Sequence, residues 1–331
     1  MKPNGTLFLR RSEIASLLDF SAYVIVVEEA FRAYAEGRSL APGMMHVDAV
    51  GGEFHVKAGG LRTEQPRFGI KINGGFFQNR AKFDMPSIQG VILLSDATHG
   101  YPLCVMDSME VTIQRTGAAT AVAAKYLARP DSSVCTICGV GNQGRVQLKA
   151  IASVLPIQKV FAWSRTPENA EAFAKRMWAE AGIPIQAVGD LAEAASRSDV
   201  IVTCTPSRKP FLMARSVRPG TFIAAVGADS PDKQELESEL TASSKVVGDL
   251  IDQIIHVGEA HHAIEAGLLS RDGIYGEIGE IIAGRKPGRT SAEETIVYDS
   301  TGTALQDVAA ASAIYDAACR DGVGTTINLA G

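Results

Sequence analysis

The chain has 331 residues, 46% hydrophobic and 21% charged, which suits about two globular domains and excludes a disordered or fibrous chain. A formal net charge of -5 spread along the whole length offers no basic stripe for nucleic acid. The amino terminus lacks the pattern of a leader, and no apolar run approaches the ~18 residues of a membrane span, so a cytoplasmic protein with no membrane or nucleic-acid partner is expected.

In chain order, residues 11–37 read as helix, with Ser12 as a cap for Glu13–Leu18 and mixed three- and four-residue apolar spacing from Ser21 to Ala35. Strands at Met44–Val50 and Glu53–Ala58 flank Gly51-Gly52, a pair suited to a hairpin turn. Strand-like runs follow at Phe68–Gly75 and Gly90–Asp96, so this part reads as an antiparallel sheet flanked by helices. An alanine-rich helix from Glu110 to Leu127 carries Arg115 and Thr116 near its start and ends before Pro130.

From Val134 the rhythm changes. The apolar run Val134–Cys138 leads into Gly139-Val-Gly141-Asn142-Gln143-Gly144 and then into a helix. In that order the first glycine permits the turn, the second admits a pyrophosphate to the backbone, and the third lets helix pack on strand. The helix start would add unpaired N–H groups for the phosphates. Further strands are expected at Lys159–Trp163, Ile185–Val188, Val200–Cys204, Thr221–Val226, Lys245–Val247 and Thr295–Tyr298. Thr166-Pro167 opens a helix that Gly182 stops, and a closing helix runs from Thr303 to Arg320. The alternation implies a Rossmann-type, doubly wound parallel sheet of the α/β class. The dinucleotide-binding residues expected from it are Gly139, Gly141, Asn142, Gln143, Gly144 and, at the end of a later strand, Thr205.

Five scattered cysteines suit reduced thiols. Cys135 and Cys138 form a CxxC inside a strand, where residues three apart face opposite ways, so buried thiols are expected rather than a redox pair or zinc ligands, and no metal ligands are assigned.

The residue that meets the adenosine ribose falls about 20 positions after the glycine loop. Here Ser164-Arg165-Thr166 offers a cation and two hydroxyls but no carboxylate, which favours NADP over NAD; the alternative is that Arg165 faces solvent or stacks on the adenine. Three further polar residues interrupt apolar or glycine-rich surroundings. Asp229 follows a parallel strand where such sheets place ligands, and could exchange a proton, while Lys71 and Arg115 could hold a carboxylate. Each also has a plain structural reading: Asp229 as a cap for a helix over Pro231–Leu240, Arg115 as a surface ion pair, Lys71 as an edge-strand residue.

The runs Lys71–Thr120, Gly139–Gly144, Gly227–Leu236 and Ser300–Asp307, in this order, resemble the ornithine cyclodeaminase and mu-crystallin family. That resemblance implies a Rossmann-type domain, residues 125–304, inserted in an α+β substrate and dimerisation domain, residues 1–124 completed by 305–331. It also implies a homodimer acting on a small imino or amino acid with NAD(P)H. Carried over by motif, Lys71 and Arg115 would bind the substrate carboxylate and Ser87 would supply a pocket hydroxyl. Asp229 would transfer the proton, with Lys71 counted beside it in catalysis, and Ser300 and Thr301 would lie near the nicotinamide.

Two departures bear on the substrate. The arginine the family often carries ahead of the hairpin is replaced by Pro42-Gly43-Met44, and the next strand puts His55 and Lys57 on one face. Extra positive charge would repel the side-chain ammonium of ornithine and favour a second carboxylate; the alternative is that Lys57 replaces the missing arginine and the substrate has one carboxylate. The expected activity is an NAD(P)H-dependent imine reductase or amino-acid dehydrogenase, with iminosuccinate reduced to aspartate as its sharpest form. The alternatives are an ornithine-type cyclodeaminase with bound NAD and a mu-crystallin-like NADPH-dependent binding protein.

Overall fold

A computed structural model describes residues 5–329. The contacts divide them into two compact units, one made of the residues up to Arg115 with those from Thr303 on, the other of Thr116–Gly302. The first boundary falls inside an alanine-rich helix.

The first unit runs β1 (Thr6–Leu9), α1 (Arg11–Leu17), α2 (Phe20–Ala35), β2 (Ser39–Ala49), β3 (Gly52–Leu61), β4 (Arg67–Gly75), α3 (Asn79–Phe83), β5 (Ile88–Asp96), β6 (Pro102–Asp107) and the start of α4 (Ser108–Leu127). Ser12 does not cap: α1 begins at Arg11, two residues earlier than expected and behind Arg10, and α2 is separate, capped by Asp19, whose carboxylate accepts the Ala22 N–H. The hairpin turn is Val50–Gly51, one residue before the expected Gly51–Gly52. Only Gly51 takes positive φ (79°), and Gly52 already pairs with Ala49.

The seven strands of this unit lie in the order β17-β1-β6-β5-β4-β3-β2, where β17 is Thr325–Ile327. All neighbours are antiparallel except β1 and β6. The odd residues of β3 and β4 share one face with Ile92 and Leu94 of β5 and Met106 of β6, and the closing helix α12 (Ala304–Asp321) packs on it. Gly69 makes that approach possible, because a Cβ there would stand 2.8 Å from Val308 Cγ2. Arg67 clamps the helix from the sheet, donating to the Ser312 carbonyl (2.8 Å) and pairing with Asp316.

In the second unit, all pairings of the eight-stranded sheet are parallel. Its elements are β7 (Val134–Cys138), α5 (Asn142–Val154), β8 (Lys159–Trp163), α6 (Pro167–Ala181), β9 (Ile185–Val188), α7 (Leu191–Ser196), β10 (Val200–Thr203), β11 (Arg208–Leu212), β12 (Phe222–Ala225), β13 (Gln234–Leu236), α8 (Ser238–Ala242), β14 (Lys245–Gly248), α9 (Ile251–Val257), α10 (Glu259–Glu265), β15 (Gly276–Glu277), α11 (Ile278–Ile282) and β16 (Ile296–Asp299). The order β15-β14-β16-β12-β10-β7-β8-β9 reverses direction between β7 and β10, the switch point where doubly wound sheets bind ligands. Strands β7, β10 and β12 are buried on both faces, so they read as continuous apolar runs.

The five cysteines are free thiols. Burial raises the pKa of Cys135 and Cys138 well above the ordinary thiol range, which suits core side chains rather than a redox pair. Among the described residues no helix is long and apolar enough to cross a membrane.

Candidate active site

In the first unit, register builds a cluster of charge inside the protein. Lys57 of β3 stands directly opposite Lys71 of β4, on the face that α12 covers. Like charges paired this way repel unless an anion intervenes, and the anion comes from α12. Asp307 Oδ2 lies 2.7 Å from Lys71 Nζ, and its Oδ1 lies 3.0 Å from Arg115 Nε. Arg115 Nη1 also donates to Gln306 Oε1 (2.7 Å). All four charged residues are buried: Lys57 5%, Lys71 3%, Arg115 5% and Asp307 2% exposed. Lys71 is therefore no edge-strand residue and Arg115 no surface ion pair, since β4 is central and α4 turns Arg115 inward.

This environment changes the acidity of both partners. Burial, reinforced by the charges of Arg115 and Lys57, lowers the Lys71 pKa to about 7, against the opposing pull of Asp307. Asp307 is held below the usual carboxylate range: burial pushes it upward, and the charges of Lys71 and Arg115 outweigh that. Three buried cations face one buried carboxylate, so the cluster carries an excess of positive charge.

Other expected residues of this unit lie elsewhere on the sheet. His55 shares the Lys57 face two residues nearer the hairpin turn, its Nε2 3.0 Å from Glu53 Oε1. Ser87 lies just before β5, where its carbonyl accepts the Phe76 N–H (2.7 Å). That is five residues along β4 from Lys71, roughly 16 Å at strand rise, so this unit does not bring Ser87 to the cluster.

In the second unit, a cleft of about 980 Å³ opens at the switch point, lined among others by Gly139, Gly141, Ser164, Arg165 and Thr205. The glycines fit a dinucleotide. Gly139 has φ 108°, and a Cβ there would meet the Cys204 carbonyl at 2.8 Å; at Gly144 it would lie 2.1 Å from the Gly139 carbonyl. A Cβ on Gly141 would meet nothing within 4 Å, which leaves room for a phosphate ahead of α5. Asn142, Gln143 and Gly144 form the first turn of α5 behind this opening. Trp163 stacks on Phe211 (5.0 Å between centroids, 29°) as an apolar wall. Arg145, Arg165, Arg176, Arg208 and Lys209 also line the cleft, and no acidic residue does. Thr166 is the N-cap of α6, but its side chain makes no cap bond and it does not line the cleft.

Asp229 follows β12 and is 43% exposed at its side chain, with Lys233 Nζ 2.6 Å from Oδ1. It does not cap a helix over Pro231–Leu240, because that stretch contains β13 and only then the short α8. Thr205 is fixed by Glu235, whose Oε1 accepts from the Thr205 N–H (2.6 Å) and hydroxyl (2.7 Å) while Oε2 accepts from Gly227 N–H (2.9 Å). Burial raises the Glu235 pKa to about 7, partly offset by these donors. Ser300 and Thr301 come directly after β16, and Thr301 donates to Asp249 Oδ1 (2.9 Å).

Asp307, Gln306 and Glu235 are not among the site residues expected from the sequence. The first two had a readable signal, two adjacent polar residues in an otherwise alanine-rich helix. The role of Glu235 rests on contacts with Thr205 and Gly227, which local patterning does not encode.

The ornithine cyclodeaminase/mu-crystallin family model matches residues 4–322. An iminosuccinate reductase of Paracoccus denitrificans (strain Pd 1222) is 35% identical over 328 residues, 98% of this chain and 100% of that protein. An archaeal alanine dehydrogenase, solved as a dimer with bound NAD, superposes with a TM-score of 0.93 at 38% identity, covering 98% of this chain and 99% of that one. The Delta(1)-pyrroline-2-carboxylate reductase of Thermococcus litoralis, solved with NADH and L-proline, also reaches 0.93, at 33% identity over 97% of this chain and 100% of that one. With its glycine loop at the switch point and its buried cation cluster, this chain belongs to the ornithine cyclodeaminase/mu-crystallin family.

Proposed function

We infer that this protein is a nicotinamide-dependent oxidoreductase that reduces the C=N bond of a small imino acid, with a dicarboxylate, in its sharpest form iminosuccinate yielding aspartate, as substrate. The observation that carries the reading is the buried set Lys57, Lys71 and Arg115 against the single carboxylate of Asp307. Arg115 and Lys71 hold the carboxylate next to the imine, and Lys57 holds the second one. The same charge repels a side-chain ammonium, which speaks against ornithine as substrate.

The cofactor, when bound, supplies hydride to the imine carbon. Asp229 donates the proton that the nitrogen needs, so that imine, hydride and proton together give the amine. The glycine loop and the start of α5 hold the pyrophosphate, with Thr205, Ser300 and Thr301 toward the nicotinamide. Ser164, Arg165 and the other cations of the cleft support a 2′-phosphate and hence NADP(H), while the two solved relatives above carry NAD and NADH. By analogy with the alanine dehydrogenase, the working form is a homodimer.

The test is a panel of oxoacids with ammonia or methylamine, assayed with NADH and NADPH in parallel. Oxaloacetate with ammonia turning over faster than pyruvate with ammonia supports the reading. Ammonia release from ornithine without added cofactor would replace it with cyclodeamination, and tight NADPH binding without turnover would replace it with a binding protein.

A further inference from the structure

The β2–β3 hairpin carries a second cluster, separate from the cations. Its register sets His46 opposite His55 and Asp48 opposite Glu53, and the alternation of side chains puts all four on one face. The two imidazoles converge on one carboxylate: His55 Nε2 lies 3.0 Å from Glu53 Oε1, and His46 Nε2 lies 3.7 Å from Glu53 Oε2 and 3.2 Å from Asp48 Oδ1. The rings meet edge to face with centroids 4.7 Å apart. The ligand atoms of His46, Glu53 and His55 all lie within 4.8 Å of one another.

Tetrahedral coordination with bonds of about 2.0–2.2 Å needs ligand atoms roughly 3.3–3.6 Å apart, so small side-chain rotations suffice to close these three around an ion. The ligand set narrows its identity. Two imidazoles and a carboxylate suit zinc and its borderline neighbours, whereas calcium and magnesium prefer oxygen throughout. Glu53 and Asp48 together match the double charge. Lys57 lies two residues farther along β3, about 7 Å away at strand rise, so the ion sits on the turn side of the cation cluster. Side chains of His46 and Glu53 are one-third and one-fifth exposed, which leaves a path for entry.

We propose that His46, Glu53 and His55 form a binding site for a zinc-class divalent ion, with Asp48 as an outer carboxylate and one position open to water. A similar grouping, His261, His262 and Glu265, is less ready, because the side chain of its carboxylate residue Glu265 is 65% exposed and would have to be ordered on binding.

The test is calorimetric titration of the full-length, tag-free, chelator-stripped protein with zinc chloride. One zinc per chain is expected, weakened by at least the ~10–100-fold of an outer-shell loss in the double variant His46→Gln/His55→Gln and in the milder Glu53→Gln. The variant His261→Gln/His262→Gln should bind as the parent does. Zinc should raise the melting temperature of the parent but not of Glu53→Gln, whose melting in chelator reports its fold. Absence of binding in the parent, unchanged binding in both hairpin variants, or loss confined to the His261/His262 variant overturns the proposal.

Discussion

Asp307 Oδ2 stands 2.7 Å from Lys71 Nζ, joining the last long helix to the centre of the first sheet. This pair is buried among further positive charge, so removing one partner leaves an uncompensated ion. Asp307→Asn should cost about 3–5 kcal/mol of stability, measured by urea denaturation at pH 6. A lysine whose pKa is lowered on folding to about 7 carries its full cost below that pH and sheds it as the pH rises toward about 10. The variant's deficit should therefore be smaller at pH 9 than at pH 6, and an equal deficit at both would contradict the charge argument.

The same acidity governs substrate affinity if Lys71 holds a carboxylate. An anion binds the protonated amine better, so the KM for the imino acid should rise as the pH climbs through about 7 and beyond, with kcat less affected. Lys71→Arg keeps its charge over this range and should flatten the profile. Parallel profiles for parent and variant would remove Lys71 from carboxylate binding.

Lys57 is the residue proposed to select a second carboxylate. Lys57→Met should raise the KM for a dicarboxylic imino acid about 10–100-fold, the scale of one charged hydrogen bond, while a monocarboxylic one changes little. Equal shifts for both would show that Lys57 serves the first carboxylate.

Asp229 is exposed enough to exchange protons, and Lys233 lies against it. Asp229→Asn should leave cofactor binding near normal, as read by nucleotide fluorescence titration, and lower turnover by on the order of 10² or more. Full turnover in the variant would leave the proton transfer to another group.

Arg165 tests the cofactor assignment. Arg165→Ala should weaken NADPH by about tenfold or more, consistent with loss of a charge-assisted contact, and leave NADH nearly unchanged. A parent that prefers NADH, with no further shift in the variant, would assign the cationic cleft to another task.

Much of the second unit was legible in the residues themselves. The strands Lys159–Trp163 and Ile185–Val188 occur at the predicted ends, and the glycine loop lies between strand and helix as its spacing requires. Such elements depend on local apolar runs and on turns that only certain residues can make. Strands β1, β13 and β17 leave no mark in the local pattern because they are short and gain their hydrogen bonds only from strands distant in the chain. The hairpin turn lies one residue before the expected Gly51–Gly52 because two adjacent glycines are nearly equivalent locally, and the pairing of Gly52 with Ala49 chooses between them.

The charged residues divide in the same way. From the sequence alone came the class of fold, the nucleotide loop and the chemical types of Lys71, Arg115 and Asp229, since each depends on residue identity and near neighbours. Only the folded chain decided that Lys71 and Arg115 share Asp307, that Glu235 secures Thr205, and that two histidines face each other across a hairpin. Those relations depend on strand register and on helix packing over the sheet, and both are set by contacts between residues far apart in the chain.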